Sequence, residues 1–228
     1  MTGNQTDSAQ DSIHMFRFLK RSDSIRDLTA LEDWQRQRAD RLKGIKQVTH
    51  YVESIRSETS FASVQWDGVE ELWFTQAQIV DLSEERFEDH SPLSSKPVDW
   101  SRSEHLFTKD YMVLDKATSL FMTKVVALIK RKEGMPLEGF RKYWKEVHGP
   151  IVCELPDLER YIQCSTLDDA YRYGEPLWDG VAILATSSLE RCLLMLSSPV
   201  FTTRARPHAD KFLERIALAI VHEVRQGV

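Results

Sequence analysis

The sequence predicts an α+β protein in which two β-α-β-β-α-β units occupy one chain, with their antiparallel sheets facing each other as an intrachain barrel. Three observations favour this fold class. One set of motifs occurs twice in the same order, the apolar patterns of strands and helices follow one plan in both halves, and the apolar fraction of 42% is typical of a globular protein.

The repeated motifs follow one another at almost constant offsets. A strand-like run ends in Lys20-Arg21 in the first half and in Lys130-Arg131 in the second. Three further pairs follow in order, at offsets of 110, 110 and 112 residues: Trp34 and Trp144, Tyr51 and Tyr161, and Trp66-Asp67-Gly68 and Trp178-Asp179-Gly180. We therefore expect a disordered tail over residues 1–12, a first repeat over 13–118 and a second repeat over 119–228.

The second repeat begins with a strand and a helix. Residues 124–130 are apolar and rich in Val and Ile, as in a buried strand. After Gly134 and Pro136, apolar residues at spacings of three and four predict a helix with one apolar stripe: Leu137, Phe140, Trp144 and Val147. His148-Gly149-Pro150 is expected to end this helix, with Gly149 in a left-handed conformation.

The remaining elements complete the unit. Residues 159–165 and 181–185 predict two strands. A turn at Asp179-Gly180 precedes the second of them, because Asp-Gly tolerates positive φ. Ser187 and Glu190 predict a capping box for a second helix, and residues 215–224 predict the last strand. This element order is that of a ferredoxin-like fold, whose uncovered sheet face requires a partner.

Composition excludes several classes of function. A net charge of −5 without a basic stripe argues against a nucleic-acid partner. No apolar run is long enough to span a membrane, and the polar N-terminus predicts a cytoplasmic protein. Three cysteines without Cys-x-x-Cys spacing and seven scattered histidines predict no metal site, and the motifs of nucleotide binding and of common hydrolases do not occur.

The helix from Phe140 to Pro150, with its Phe-x-x-Tyr-Trp-x-x-x-His-Gly-Pro pattern, resembles the EthD-like family of the dimeric α+β barrel superfamily. The resemblance covers roughly residues 124–224. The first half departs from it, because Arg38-Ala39-Asp40 stands where the second half has His148-Gly149-Pro150. The resemblance implies barrel formation, often by homodimers, and a wider superfamily of cofactor-free isomerases, cyclases, lyases and monooxygenases, with heme binding in some members.

His148 is the first candidate for catalysis. At a helix C-terminus the helix dipole would raise the imidazole pKa, and the ring could exchange a proton with a phenol or an enol at the mouth of the barrel. The structural alternative is that His148 caps the helix and packs on Trp144. His222, on the last strand, is the second acid/base candidate if its face borders the lumen.

Five further residues are candidates for substrate binding. Tyr143, Trp144 and Tyr161 could form an aromatic wall for a planar substrate, although helix-spaced aromatic residues are also typical of a core. Arg38 could bind a carboxylate or a phenolate. Arg17 interrupts an apolar strand, which indicates a wet cavity on its face of the sheet.

These observations predict an enzyme of the lyase or isomerase type that works without a cofactor. Its chemistry would be proton transfer, as in isomerisation, cyclisation, dehydration or decarboxylation, on a hydrophobic, oxygenated, aromatic or polyketide-like molecule. Two alternatives stay open: a barrel that binds a small ligand without catalysis, and a heme-handling protein. A homodimer is a further expectation.

Overall fold

The computed structural model describes residues 12–23, 29–42, 48–57, 66–75, 98–120 and 122–227. Most of the long polar loop of the first half, and the tail over residues 1–11, fall outside this part of the chain. Eight strands are described: β1 (Ser12–Leu19), β2 (Val48–Arg56), β3 (Gly68–Thr75), β4 (Glu104–Asp115), β5 (Thr123–Arg131), β6 (Arg160–Thr166), β7 (Gly180–Thr186) and β8 (Leu213–Gly227).

The strands form a closed barrel in an α+β protein. Their hydrogen-bonded order is β1-β3-β2-β8-β5-β7-β6-β4. By internal contacts the chain divides into a first unit, residues 1–55, 66–109 and 224–228, and a second unit, residues 56–65 and 110–223.

The first unit contains an antiparallel sheet in the order β4-β1-β3-β2. Helix α1 (Thr29–Leu42) covers one face of this sheet. Leu31 and Trp34 of the helix pack on Leu19 and Ile55 of the strands, and Val98 completes this small buried cluster. Alternation along β1 therefore places Met15, Arg17 and Leu19 on the helix-covered face.

The second unit contains an antiparallel sheet in the order β8-β5-β7-β6. Its first covering helix consists of α2 (Leu137–Tyr143), a π-helical turn (Trp144–His148) and α3 (Gly149–Val152). The second covering segment consists of α4 (Leu189–Ser197), which ends at the extended backbone of Ser198, followed by a π-helical turn (Val200–Ala205) and α5 (Arg206–Ala209). Phe140, Trp144 and Phe212 belong to the large core beneath these helices.

Each unit joins the end of its first strand to its Trp-Asp-Gly turn. In the first unit, the buried Asp67 carboxylate accepts a hydrogen bond from the Arg21 backbone N–H at 3.1 Å and pairs with Lys20 Nζ at 2.9 Å. In the second unit, buried Asp179 accepts from the Arg131 N–H at 2.8 Å and pairs with the Arg131 guanidinium. The repeated motifs of the sequence are thus in contact within each unit.

Three local expectations are wrong. Gly149 has φ −52°, because the helix continues to Val152 and does not end at His148. Gly180 is needed for space and not for positive φ, since an added Cβ would lie 2.6 Å from Cys164 O and 3.0 Å from the Trp144 ring. The second helix is capped by Ser188, whose Oγ accepts from the Arg191 N–H, and not by Ser187.

No helix among the described residues is both long and apolar enough to cross a membrane.

Candidate functional site

A cavity of about 70 Å³ lies inside the second unit, between its sheet and its covering helices. Its floor consists of aliphatic side chains from alternate positions of the strands, among them Val125, Ala127 and Ile129 of β5. The small side chains Ala127 and Ala182 are direct cross-strand neighbours and leave space above the sheet. The sequence placed the site at the barrel mouth, whereas this cavity is on the helix-covered face.

Most of the cavity wall is apolar, and His148 supplies an imidazole to it. The π-helical turn carries both Trp144 and His148 to the cavity, and His148 is 8% exposed. Its Nδ1 lies 3.1 Å from Nδ1 of His208, a residue of α5. The cavity therefore has an imidazole that is held at one nitrogen and has its other nitrogen, Nε2, available.

The electrostatics of His148 differ from the expectation. The sequence predicted a raised pKa at a helix C-terminus, but the residue is inside a longer helix. Burial, together with the neighbouring His208, lowers the pKa of His148 to about 4. His148 is therefore a neutral imidazole at physiological pH, and it is able to donate from one nitrogen and accept at the other.

Tyr161, Trp144 and Phe201 supply aromatic rings to the wall. The Tyr161 hydroxyl accepts a hydrogen bond from Gln163 Nε2 at 2.9 Å, and the same amide donates to the Trp144 carbonyl. Burial raises the pKa of Tyr161 above its usual range, so this phenol stays protonated. Gly149 packs against the same amide, and an added Cβ would lie 3.3 Å from Gln163 Nε2.

The other predicted site residues are distributed over the molecule. Tyr143 does not line the cavity, but its hydroxyl lies 3.0 Å from Nε2 of His208. His222 lies further along β8, outside the cavity, with its Nδ1 3.0 Å from Thr123 Oγ1, and burial lowers its pKa. Arg17 is in the first unit and pairs with Glu70 at 3.8 Å, so it does not reach this cavity. Arg38 is on α1, and its side chain lies outside the described residues.

Two residues of α5 were missed by the sequence analysis. His208 contacts both His148 and Tyr143, and Arg206 lines the cavity while pairing with Asp210. His208 is 60 residues from His148, and no short motif connects them. The sequence Arg206-Pro207-His208 matches no motif that indicates a binding or catalytic function.

A heme does not fit the cavity in this conformation. His148 is the side chain that would hold the heme iron, and its Nδ1 contact with His208 is the kind of hydrogen bond that orients a metal-binding imidazole. The volume of about 70 Å³ is nevertheless well below the roughly 300–1,000 Å³ of pockets for drug-sized ligands, and Trp144, Tyr161 and Phe201 stand in its walls.

Residues 132–216 match the family model described as the EthD domain, and this match confirms the family resemblance of the second half. None of the curated protein sequences compared with the chain matches it.

Solved structures similar to the chain cover nearly all of it. An anthrone oxidase-like protein has a TM-score of 0.64 at 6% identity, over 96% of this chain and 94% of that one. Chlorite dismutase from Candidatus Nitrospira defluvii, in complex with imidazole, has a TM-score of 0.61 at 9% identity, over 96% and 93%. A protein from Lactobacillus acidophilus NCFM, provisionally assigned as a monooxygenase, has a TM-score of 0.57 at 11% identity, over 96% of each chain. At these identities the likeness shows the fold alone.

Proposed function

We propose, from the match of residues 132–216 to the EthD domain and from the cavity that these residues help to line, that this protein is an enzyme that transfers protons to and from a small, apolar, oxygenated molecule. His148 is the proposed acid/base. The reaction would be a tautomerisation, cyclisation, dehydration or decarboxylation that passes through an enol or a phenolate, without a cofactor.

One observation carries this proposal: a neutral histidine stands in the wall of an otherwise mainly apolar cavity. Its Nδ1 is held by His208, so the ring orientation is fixed and Nε2 is available to a bound molecule. An apolar environment strengthens a hydrogen bond to an enolate or phenolate oxygen, because little water competes for it. Arg206 also lines the cavity, and its guanidinium is paired with Asp210.

The cavity volume limits the size of the substrate. About 70 Å³ is less than the 150 Å³ of an engineered cavity that holds benzene. A one-ring substrate would therefore enter only in part, or would displace Phe201, a half-buried residue on the second π-helical turn. Turns of this kind occur frequently at functional sites.

One of the similar structures is an anthrone oxidase-like protein, and anthrone is an aromatic ketone, although its three fused rings are larger than the cavity. Abstraction of a proton from an enol or a phenol would also prepare such a molecule for reaction with oxygen. A monooxygenase or oxidase reaction is therefore compatible with the same residue, His148, and oxygen consumption should be followed beside proton exchange.

The test is hydrogen–deuterium exchange at the carbon next to the carbonyl in one-ring ketones, measured by proton NMR in deuterated buffer. Acetophenone, phenylacetone and phenylpyruvate are suitable probes, because each presents a carbonyl and an apolar ring. We expect catalysed exchange in the wild type and a rate about two to four orders of magnitude lower in His148→Gln.

His222→Gln is the matched control, since His222 lies outside the cavity, and its exchange rate should equal that of the wild type. A His148→Gln protein that folds and exchanges at the wild-type rate would remove His148 from the mechanism. Probes that bind, with no exchange above the buffer rate, would favour the ligand-binding alternative.

The organisation in two ferredoxin-like repeats, over residues 13–118 and 119–228, is also a proposal. The sheets of the two units share one strand order, in which the fourth strand of each half precedes its first, third and second strands. The matching contacts of Asp67 and Asp179 with the preceding Lys-Arg pairs give further support.

A further inference from the structure

Three rings stand in a row from the cavity to the outer side of the helices. The ring of His208 is stacked on that of Tyr143, with centroids 5.5 Å apart and planes within 4°. The His208 ring is also nearly parallel to that of His148, with centroids 5.3 Å apart and planes within 8°. His148 is buried at the cavity, whereas Tyr143 and His208 are only half-buried.

The polar atoms of these three side chains also lie at hydrogen-bond distances from one another. Tyr143 Oη lies 3.0 Å from His208 Nε2, and His208 Nδ1 lies 3.1 Å from His148 Nδ1. Burial lowers the pKa of both histidines, with added repulsion from Lys211 in the case of His208, so both rings are neutral. A bond between the two Nδ1 atoms then requires that one of them carries a proton and the other does not.

The phenol determines which arrangement is favoured. A phenol hydroxyl is a strong donor and an imine nitrogen a strong acceptor, so Tyr143 donates to His208 Nε2. His208 then carries its proton on Nδ1 and donates it to His148 Nδ1. His148 must consequently carry its own proton on Nε2, the nitrogen available to the cavity.

We propose that Tyr143, His208 and His148 form a proton relay between the cavity and the surface, in which the two histidines change tautomer together. The proposal deepens the proposed function, because it requires His148 to exchange a proton with the bound molecule. His208 and Tyr143 are positioning residues, since only His148 touches the cavity among these three.

The relay conserves protons and charge on the protein. When His148 gives its Nε2 proton to the bound molecule, His148 Nδ1 receives the proton of His208 Nδ1. His208 Nε2 then receives the proton of the Tyr143 hydroxyl, and Tyr143 takes one from water. Proton abstraction runs the same steps in reverse, starting from the opposite tautomers, with His148 protonated at Nδ1 and His208 at Nε2. Tyr143 then returns a proton to water, and neither histidine is an imidazolium at the end.

A low-dielectric site favours such a relay over a lone base. An imidazolium at His148 would be a buried charge, and among the described residues no carboxylate forms an ion pair with His148 or His208. A concerted change of tautomer avoids that charge. Ring packing alone would explain the parallel planes, but it does not require the hydrogen-bond distances of 3.0 and 3.1 Å between the polar atoms of successive rings.

The test is nitrogen-15 NMR of the imidazole rings in the ligand-free protein at neutral pH. We expect His208 to be protonated at Nδ1 and His148 at Nε2. If both rings carried their proton on Nδ1, or both on Nε2, the two Nδ1 atoms would not share a proton. This result would overturn the relay.

A second measurement detects the coupling. Tyr143→Phe keeps the ring but removes the hydroxyl donor. The tautomer ratio of His148, which is two hydrogen bonds away, should therefore change by about fivefold, the equilibrium effect of one ordinary hydrogen bond. Tyr111→Phe, on the exposed part of β4, is the matched control and should leave both histidines unchanged. An unaltered His148 ratio in folded Tyr143→Phe would also overturn the relay.

These outcomes are separate from the proposed function, because the tautomers are observed without a substrate. If the ketone probes show no catalysed exchange while the tautomers are opposite and coupled, the proposed function fails and the relay geometry remains. If His148→Gln is inactive while the tautomers are uncoupled, the function remains and the relay fails.

Discussion

The two units differ most clearly at one cross-strand pair. In the first unit Arg17 is opposite Glu70, and in the second unit Ala127 is opposite Ala182. The positions correspond: each first residue lies three before the lysine of the Lys-Arg pair, and each second residue lies three after the aspartate of the turn. Both pairs are on the helix-covered face of their sheet.

This difference shows how a cavity is made on a common sheet. Two alanine methyl groups leave the space that the cavity of the second unit occupies. In the first unit two long charged side chains extend from the sheet instead, and the Arg17 guanidinium lies 5.8 Å from the centre of the Trp100 ring. The sheet provides the position, and two side chains determine whether it can hold a ligand.

The largest effect is expected from breaking the charged pair of the first unit. Arg17→Ala removes the guanidinium from beside the fully buried Glu70 carboxylate, and the free energy of unfolding should fall by about 3–5 kcal/mol. Urea denaturation measures this loss. Arg17→Ala/Glu70→Ala should be more stable than Arg17→Ala. A double variant whose loss of stability equals or exceeds the sum of the two single losses would contradict the pairing.

A smaller effect concerns the buried imidazole of the second unit. The pKa of His148 falls from 6.5 to about 4 on folding, so the unfolded chain binds the extra proton between these values. Stability from this residue is present above pH 6.5 and is lost as the pH falls through 4, by up to about 3 kcal/mol. Wild type should therefore lose more stability between pH 7 and pH 4 than His148→Gln in urea denaturation. Parallel pH curves would show that His148 is not buried as described.

The smallest effect is expected at Gly149. Its helical φ allows alanine, but the added Cβ would press on Gln163, whose amide is held by Trp144 O and Tyr161 Oη. Gly149→Ala should lose about 1 kcal/mol of stability. Gly139→Ala, where no atom lies within 4 Å of the added Cβ, should instead gain up to about 1 kcal/mol. Thermal melting distinguishes the two, and equal shifts would contradict the close contact.

The barrel was predictable because its signals are local and periodic. The apolar run before Lys130-Arg131 and the turn at Asp179-Gly180 correspond to β5 and to the start of β7. The role of Gly149 was not predictable, because the same amino-acid sequence is compatible with a helix end and with a π-helical turn that continues into another helix. Only the packing of the helix against Gln163 separates them.

The residues of the candidate site were predictable only where they lie on one helix. His148 and Trp144 share a helical face, and both reach the cavity. The direction of the His148 pKa was not predictable, because it depends on burial under α5 and on His208, 60 residues away. Arg17 indicated a cavity by its charge, yet Glu70 satisfies part of that charge from the neighbouring strand.

The cavity also makes the second unit mechanically softer. Unfolding removes internal voids, and the volume change of unfolding scales with them. The cavity, at about 70 Å³ per molecule or about 40 mL/mol, contributes to that change. Hydrostatic pressure should therefore open the second unit through the same space that we propose for the substrate. A molecule that fills the space would make the protein resist compression, whatever its chemistry.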